Sequence, residues 1–79
     1  MRQIVLDTET TGLSPSDDRV VEIGCVELVD GRSTGRTFQR YVNPERSMPA
    51  GAFLVHGISD ADLDGKPVFA DIVEEFLAF

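Results

Sequence analysis

Cysteine, histidine and tryptophan are scarce in this chain of 79 residues, which has only Cys25 and His56 and no tryptophan. A single cysteine excludes an internal disulfide, and no Cys and His spacing typical of a zinc site is present. The apolar runs are too short to span a bilayer, and the N-terminus lacks the pattern of a signal peptide. We therefore expect one small domain in the cytoplasm, without membrane association, in which Cys25 is a core residue.

Positive charge is also scarce, since 7 Lys and Arg residues face 14 Asp and Glu residues for a net charge of −7. This balance argues against a nucleic-acid surface built from a basic patch. Most of the imbalance lies in residues 60–79, where Lys66 is the only cation, and we interpret these acids as a solvated face. A nucleic-acid ligand therefore fits this chain only if metal ions offset the charge of its phosphates.

The hydrophobic patterns predict an α/β chain in which three strands precede helices. Ile4–Leu6 is a short β-branched run that predicts a central strand, and Val20–Val29 alternates as a longer strand does. Asp30 and Gly31 favour a type I′ hairpin turn into a third, exposed or edge strand over Thr34–Val42.

Helical signals follow the third strand. Pro49–His56 is predicted to form a short helix closed by Gly57. Ser59–Asp62 matches a capping box at the start of another short helix. A last helix is predicted from apolar residues at helical spacing with acids on the opposite side, namely Phe69, Ile72, Val73 and Phe76.

Two carboxylates, Asp7 and Glu9, directly follow the Ile4–Leu6 run, where a core strand rarely carries charge. Residues two apart on a strand point to one face, so these side chains should stand about 6–7 Å apart. No cation close in sequence pairs with them. Two Mg²⁺ or Mn²⁺ ions about 3.5–4 Å apart would balance the pair and suit attack on a phosphodiester. For an isolated Asp-x-Glu, however, a turn acid followed by a surface acid is the better explanation.

The surrounding stretch, "IVLDTETTG", resembles the first motif of the DnaQ-like (DEDD) 3′–5′ exonucleases. The segments "VVEIGCVELVDGR", "FQRYVNPERSMP" and "FLVHGISDADLDGKPVFADIVEEFLAF" are also similar to that family, so the resemblance covers the whole chain. It implies a ribonuclease-H-like fold, whose mixed sheet begins with three antiparallel strands. It also implies removal of nucleotides from single-stranded DNA 3′ ends with two divalent ions and, for proofreading members, a DNA polymerase catalytic subunit as partner.

The resemblance assigns site residues by position. Asp7 and Glu9 match the first two acids of the family's catalytic metal site, where Asp7 would bridge both ions and Glu9 would bind one. Thr10 and Gly12, together with these acids, would lie against the terminal nucleotide. His56, in "VHGI", matches a position that contacts substrate, although a histidine at a helix end more often caps carbonyls or packs in a core.

Some family features have no counterpart among residues 1–79. Gly51 stands where the family often has a glutamate that touches the 3′ terminus. The second motif, His-x-Ala-x-Phe-Asp, and the third, with a general-base histidine and the last acid, would begin beyond Phe79. We therefore expect residues 1–79 to be the N-terminal part of a single exonuclease domain, and the fragment by itself to be inactive.

Three alternatives stay open at this point. An exonuclease of the same fold that acts on RNA ends or in repair would share these motifs. A haloacid-dehalogenase-like phosphatase also ends a strand on paired acids, but Glu9 and the hairpin signal at 30–31 argue against it. The third alternative is a non-catalytic fragment or interaction module.

Overall fold

The computed structural model describes all residues from Met1 to Phe79. The predicted order of strands and helices is confirmed. The elements are β1 Arg2–Thr10, β2 Val20–Val29, β3 Arg32–Tyr41, α1 Ala50–His56, α2 Asp60–Leu63 and α3 Phe69–Ala78. None of the helices is long and apolar enough to cross a membrane.

The strands form one antiparallel sheet in the order β1-β2-β3, so β2 is its central strand. Asp30 and Gly31 both have positive φ, 51° and 80°, as the predicted type I′ turn requires. β3 starts at Arg32, two residues earlier than predicted, because the tight turn allows Arg32 to pair with Val29 immediately.

Within residues 1–79, β1 has one partner strand, and the central position of Ile4–Leu6 in the sheet stays a prediction. β1 pairs only with β2, and Val5 and Leu6 are 52% and 51% exposed. A β-branched composition indicates that a run suits a sheet but does not determine whether one or both of its edges are paired. β1 also continues to Thr10, so Asp7 and Glu9 lie inside the strand rather than after it.

Helix α3 covers one face of the sheet. Ile72 on this helix is 2% exposed, which confirms the centre of the predicted apolar stripe, whereas Phe69 at its start remains 42% exposed. The ring of Phe76 lies 6.3 Å from that of Phe38 on β3. The main core cluster joins this helix to β2 and β3 and contains Ile23, Cys25, Phe38, Val42 and Ile72.

The two short helices, α1 and α2, are stabilised by capping contacts at their ends, and a smaller hydrophobic cluster packs α2 against the sheet. Gly57 ends α1 with φ 71° and donates its amide to Phe53, as a left-handed C-terminal residue does. Ser59 and Asp62 form the predicted capping box of α2. The smaller cluster packs α2 and the segment before it against the sheet through Val21, Ile58 and Leu63.

Candidate metal and nucleic-acid site

Asp7 and Glu9 lie on the sheet face opposite α3, which we call the open face. Directly opposed residues of antiparallel strands point to the same face. Asp7 is paired with Gly24, and Glu9 with Glu22. These positions alternate with Ile23 and Cys25, which face α3. The register of β1 therefore places the two carboxylates on one face, away from the core.

The two carboxylates have no cation beside them. Neither Asp7 nor Glu9 takes part in any ion pair of the structure. Asp7 Oδ1 only accepts a hydrogen bond from the backbone N–H of Thr8 at 3.0 Å. The residue opposite Glu9 is another acid, Glu22, whose carboxylate accepts a hydrogen bond from Gln39 at 2.8 Å. The open face thus concentrates negative charge that no side chain balances.

Gly24 leaves a depression on the open face beside Asp7. A Cβ at this position would meet nothing within 4 Å. The depression has a volume of about 340 Å³ and includes Val5, Asp7, Val26 and Gln39 in its lining. The β1 acids are therefore accessible from the side of β2 as well as from solvent above the sheet.

Asp18 holds the loop that follows β1. The Thr11 hydroxyl donates to Asp18 Oδ1 at 2.8 Å, and the Ser14 N–H donates to Asp18 Oδ2 at 3.0 Å. The Arg46 guanidinium also donates to Asp18 Oδ1 at 3.0 Å. The Ser14 N–H, followed by the Thr11 hydroxyl, lowers the pKa of the Asp18 carboxyl. Asp18 therefore remains a carboxylate that ties Thr11 and Ser14 together.

Gly12 lies close against the carboxylate of Asp18. A Cβ on Gly12 would lie 2.4 Å from Asp18 Oδ2, so the Asp18 carboxylate would have to move. The Thr10 hydroxyl donates to the Gly12 carbonyl at 2.6 Å. Thr10 and Gly12 therefore have structural roles in the turn, and their contact with a nucleotide stays a prediction.

His56 joins the end of α1 to the end of β1. Its Nδ1 accepts a hydrogen bond from the Ile58 N–H at 3.0 Å, and its Nε2 lies 3.0 Å from the Thr10 carbonyl oxygen. A ring nitrogen that accepts carries no proton, so Nε2 is the protonated nitrogen and donates to Thr10. Both nitrogens are thus used inside the protein, as in a structural histidine. A substrate contact by His56 stays a prediction.

Glu27 is a buried carboxylate that the sequence analysis missed. It is 4% exposed on the face covered by α3. It accepts hydrogen bonds from Arg2 at 2.5 Å, Thr34 at 2.7 Å and Arg36 at 3.0 Å. The Arg2 hydrogen bond is the largest cause of the lowered pKa of Glu27. The alternation of β2 could have indicated this burial, because Glu27 lies in phase with Cys25, but its partners depend on the fold.

The carboxylate oxygens of the open face are suitable ligands for a hard divalent cation, but they are too few to hold one by themselves. Carboxylate oxygens without a cation partner are the ligands that Mg²⁺ and Mn²⁺ prefer. No group of three or more His, Cys, Asp or Glu side chains is close enough together to hold a metal ion. Asp7 and Glu9 could therefore supply two protein ligands to a metal ion. Water or groups outside residues 1–79 would fill the other coordination positions.

Comparison with known proteins assigns the chain to a class. The family model described as Exonuclease (RNase_T) matches residues 4–79, so the chain belongs to this exonuclease family. The resemblance that the first motif indicated is confirmed. The phosphatase alternative is wrong, because the β2–β3 hairpin follows β1 where that alternative required a helix.

The DNA polymerase III epsilon subunits of three bacteria are among the similar curated proteins. Those of Rickettsia felis, Salmonella typhimurium and Escherichia coli are 52%, 49% and 46% identical to this chain over 100%, 99% and 99% of its length. The chain spans about a third of these relatives, namely 35%, 34% and 34% of their lengths.

Solved structures confirm the ribonuclease-H-like exonuclease fold. Exonuclease X, in complex with 5′ overhanging duplex DNA, aligns with a TM-score of 0.82 at 30% identity. That alignment covers 92% of this chain and 42% of exonuclease X. Exonuclease I aligns with a TM-score of 0.85 at 21% identity, over 98% of this chain and 18% of the other. The second likeness concerns the fold alone.

Proposed function

We propose that residues 1–79 form part of a 3′–5′ exonuclease domain that removes nucleotides from DNA 3′ ends, as the cytoplasmic proofreading subunit of a replicative DNA polymerase. The observation that carries the proposal is the pair Asp7 and Glu9, side by side on the open face without a cation. Family membership supports the nuclease activity. Relatives named DNA polymerase III subunit epsilon support the polymerase as partner, and the DNA in the exonuclease X structure supports the substrate.

In this proposal, Asp7 and Glu9 hold two Mg²⁺ or Mn²⁺ ions. When bound, such ions activate water for attack on a phosphodiester and stabilise the leaving oxygen. The turn at Thr10–Gly12 presents its backbone to the terminal nucleotide beside the acids. His56 holds the Thr10 carbonyl, and so fixes the end of β1 next to Glu9. The exposed edge of its ring would meet the substrate.

Residues 1–79 alone are expected to be inactive. Asp7 and Glu9 leave most coordination positions of two ions to water. Positioned proton transfer is typically worth about 10²–10⁴ in rate, and the only histidine, His56, uses both ring nitrogens within the protein. A 3′-labelled oligonucleotide incubated with this chain and Mn²⁺ should stay intact. Mononucleotide release that Asp7→Ala abolishes would contradict this expectation.

The metal site itself can be tested on this chain by NMR. We expect paramagnetic Mn²⁺ to broaden the amide signals of residues 6–13 first, because the carboxylates of Asp7 and Glu9 are unpaired. Asp7→Ala should abolish this broadening without unfolding the chain, since Asp7 is exposed and its only hydrogen bond is to Thr8. Asp71→Ala, which removes an exposed acid from α3, is the matched control. Broadening spread equally over residues 60–75 would indicate diffuse ion binding and exclude the proposed site.

A further inference from the structure

The open face continues from the paired acids to an aromatic residue on β3. Glu9 is paired with Glu22 on β2, and Glu22 is paired with Tyr41 on β3. The three residues form one row across the sheet and point to the same side. Two strand spacings of about 4.8 Å separate Glu9 from Tyr41, so their backbones are roughly 10 Å apart. Tyr41 is 39% exposed.

A polar cavity adjoins Tyr41. Its volume is about 400 Å³, and its lining includes Tyr41, His56, Asp62 and Lys66. Since His56 contacts Thr10, the cavity lies beside the end of β1 that carries Glu9. Tyr41 therefore belongs both to the row across the sheet and to the lining of the cavity.

Lys66 is a cation at this cavity that forms no salt bridge. Its ammonium lies 6.0 Å from the centroid of the Tyr41 ring. Asp62 is the only acid in the lining, and its carboxylate accepts the Ser59 N–H at 3.0 Å. The hydrogen bonds from Ser59 are the main cause of the lowered pKa of Asp62, and the charge of Lys66 is a smaller one. The cavity thus combines an ammonium that forms no salt bridge with a partly exposed aromatic ring, in a chain with a net charge of −7.

We propose that Lys66 and Tyr41 form a subsite for single-stranded DNA upstream of the bond held at Asp7 and Glu9. The Lys66 ammonium binds a backbone phosphate, and the Tyr41 ring stacks on a neighbouring base. Single-strand binding surfaces combine cations with aromatic rings in this way. The inference rests on the proposed function, because the acids define where the 3′ end lies.

The test measures binding of a fluorescein-labelled oligothymidylate to this chain, with Mn²⁺ present, over a series of salt concentrations. Lys66→Gln should weaken binding about threefold to tenfold and reduce the slope of log K against log salt by about 0.7, since one phosphate contact to a single strand is lost. Lys66→Arg, which keeps the positive charge, should bind as the wild-type chain does. Tyr41→Leu should weaken binding without changing the slope.

Arg32→Gln is the matched control. Arg32 is exposed, forms no ion pair and lies at the hairpin end of β3, so this variant loses the same charge far from the cavity. Binding by Lys66→Gln equal to that by Arg32→Gln would overturn the subsite. A chain that binds Mn²⁺ at residues 6–13 but binds no DNA would overturn it as well. Absence of Mn²⁺ broadening would instead overturn the proposed function, and the subsite with it.

Discussion

The two faces of the sheet carry opposite kinds of residues at alternate positions of the same strands. On β2, Ile23 and Cys25 are each 3% exposed beneath α3, whereas Val26 on the open face is 39% exposed. On β1, the open face carries Asp7 and Glu9. One face therefore supplies burial that stabilises the fold, and the other is free to hold charge that the fold does not need.

The carboxylates on the two faces differ in their partners. Glu27 on the covered face is bound by Arg2, Thr34 and Arg36, because a buried charge without partners is costly. Asp7 on the open face has only a local backbone donor. A carboxylate without a cation partner in the protein can bind a metal ion. Asp7 is therefore a better candidate for a metal ligand than Glu27.

The largest effect is expected from the covered face, where Ile72→Ala should remove about 2–5 kcal/mol of the free energy of unfolding. Ile72 is 2% exposed at the centre of the main core cluster, so its loss leaves a cavity between α3 and the sheet. Urea denaturation followed by circular dichroism measures the change. Leu77→Ala on the same helix is the control, because Leu77 is 74% exposed. Equal losses in the two variants would mean that α3 does not cover this face.

A smaller effect is expected at the turn beside the acids, where Gly12→Ala should destabilise the chain by about 1–3 kcal/mol, as overpacking does. The new Cβ would displace the Asp18 carboxylate from Thr11 and Ser14. Gly51→Ala should instead stabilise the chain by about 0.4–1 kcal/mol, since Gly51 lies in α1 with open space around it. Thermal unfolding of both variants should give shifts of opposite sign. Shifts of the same sign would contradict the close approach at Gly12.

The smallest effect on stability is expected when one acid from each face is replaced. Glu27→Gln should lower the Tm by roughly 3–8 °C at neutral pH, because the Arg2 and Arg36 guanidinium groups lose their carboxylate. Asp7→Asn, which removes the same charge from the open face, should leave the Tm unchanged or slightly raised. Equal losses would show that the open-face acid also stabilises the fold.

The same pair has a pH dependence of defined sign. The pKa of Glu27 in the folded chain lies below its ordinary value of 4.5. Its contribution to stability is therefore fully present above about pH 4.5 and is lost as the pH falls through the folded pKa. The Tm difference between Glu27→Gln and the wild-type chain should shrink in acid. A difference that stays constant with pH would exclude the ion pair as its cause.

Local sequence patterns predicted most of the fold and the position of Asp7 and Glu9 on one face of a strand. Alternation defined β2 and its apolar face, and the Asp30–Gly31 pair defined the hairpin turn. The Ser59–Asp62 capping box was also predicted. The spacing of Asp7 and Glu9 placed both on one strand face. These features depend on residues a few positions apart, whose geometry the backbone itself imposes.

Tertiary structure alone decided which groups meet across long sequence separations. Within residues 1–79, it paired β1 with β2 alone. It also joined Glu27 to Arg2, bound His56 to Thr10 and placed Lys66 beside Tyr41. No local propensity encodes such contacts, since each depends on how strands and helices pack after they form. The position of Lys66 relative to Asp7 and Glu9 is therefore defined only in the folded chain.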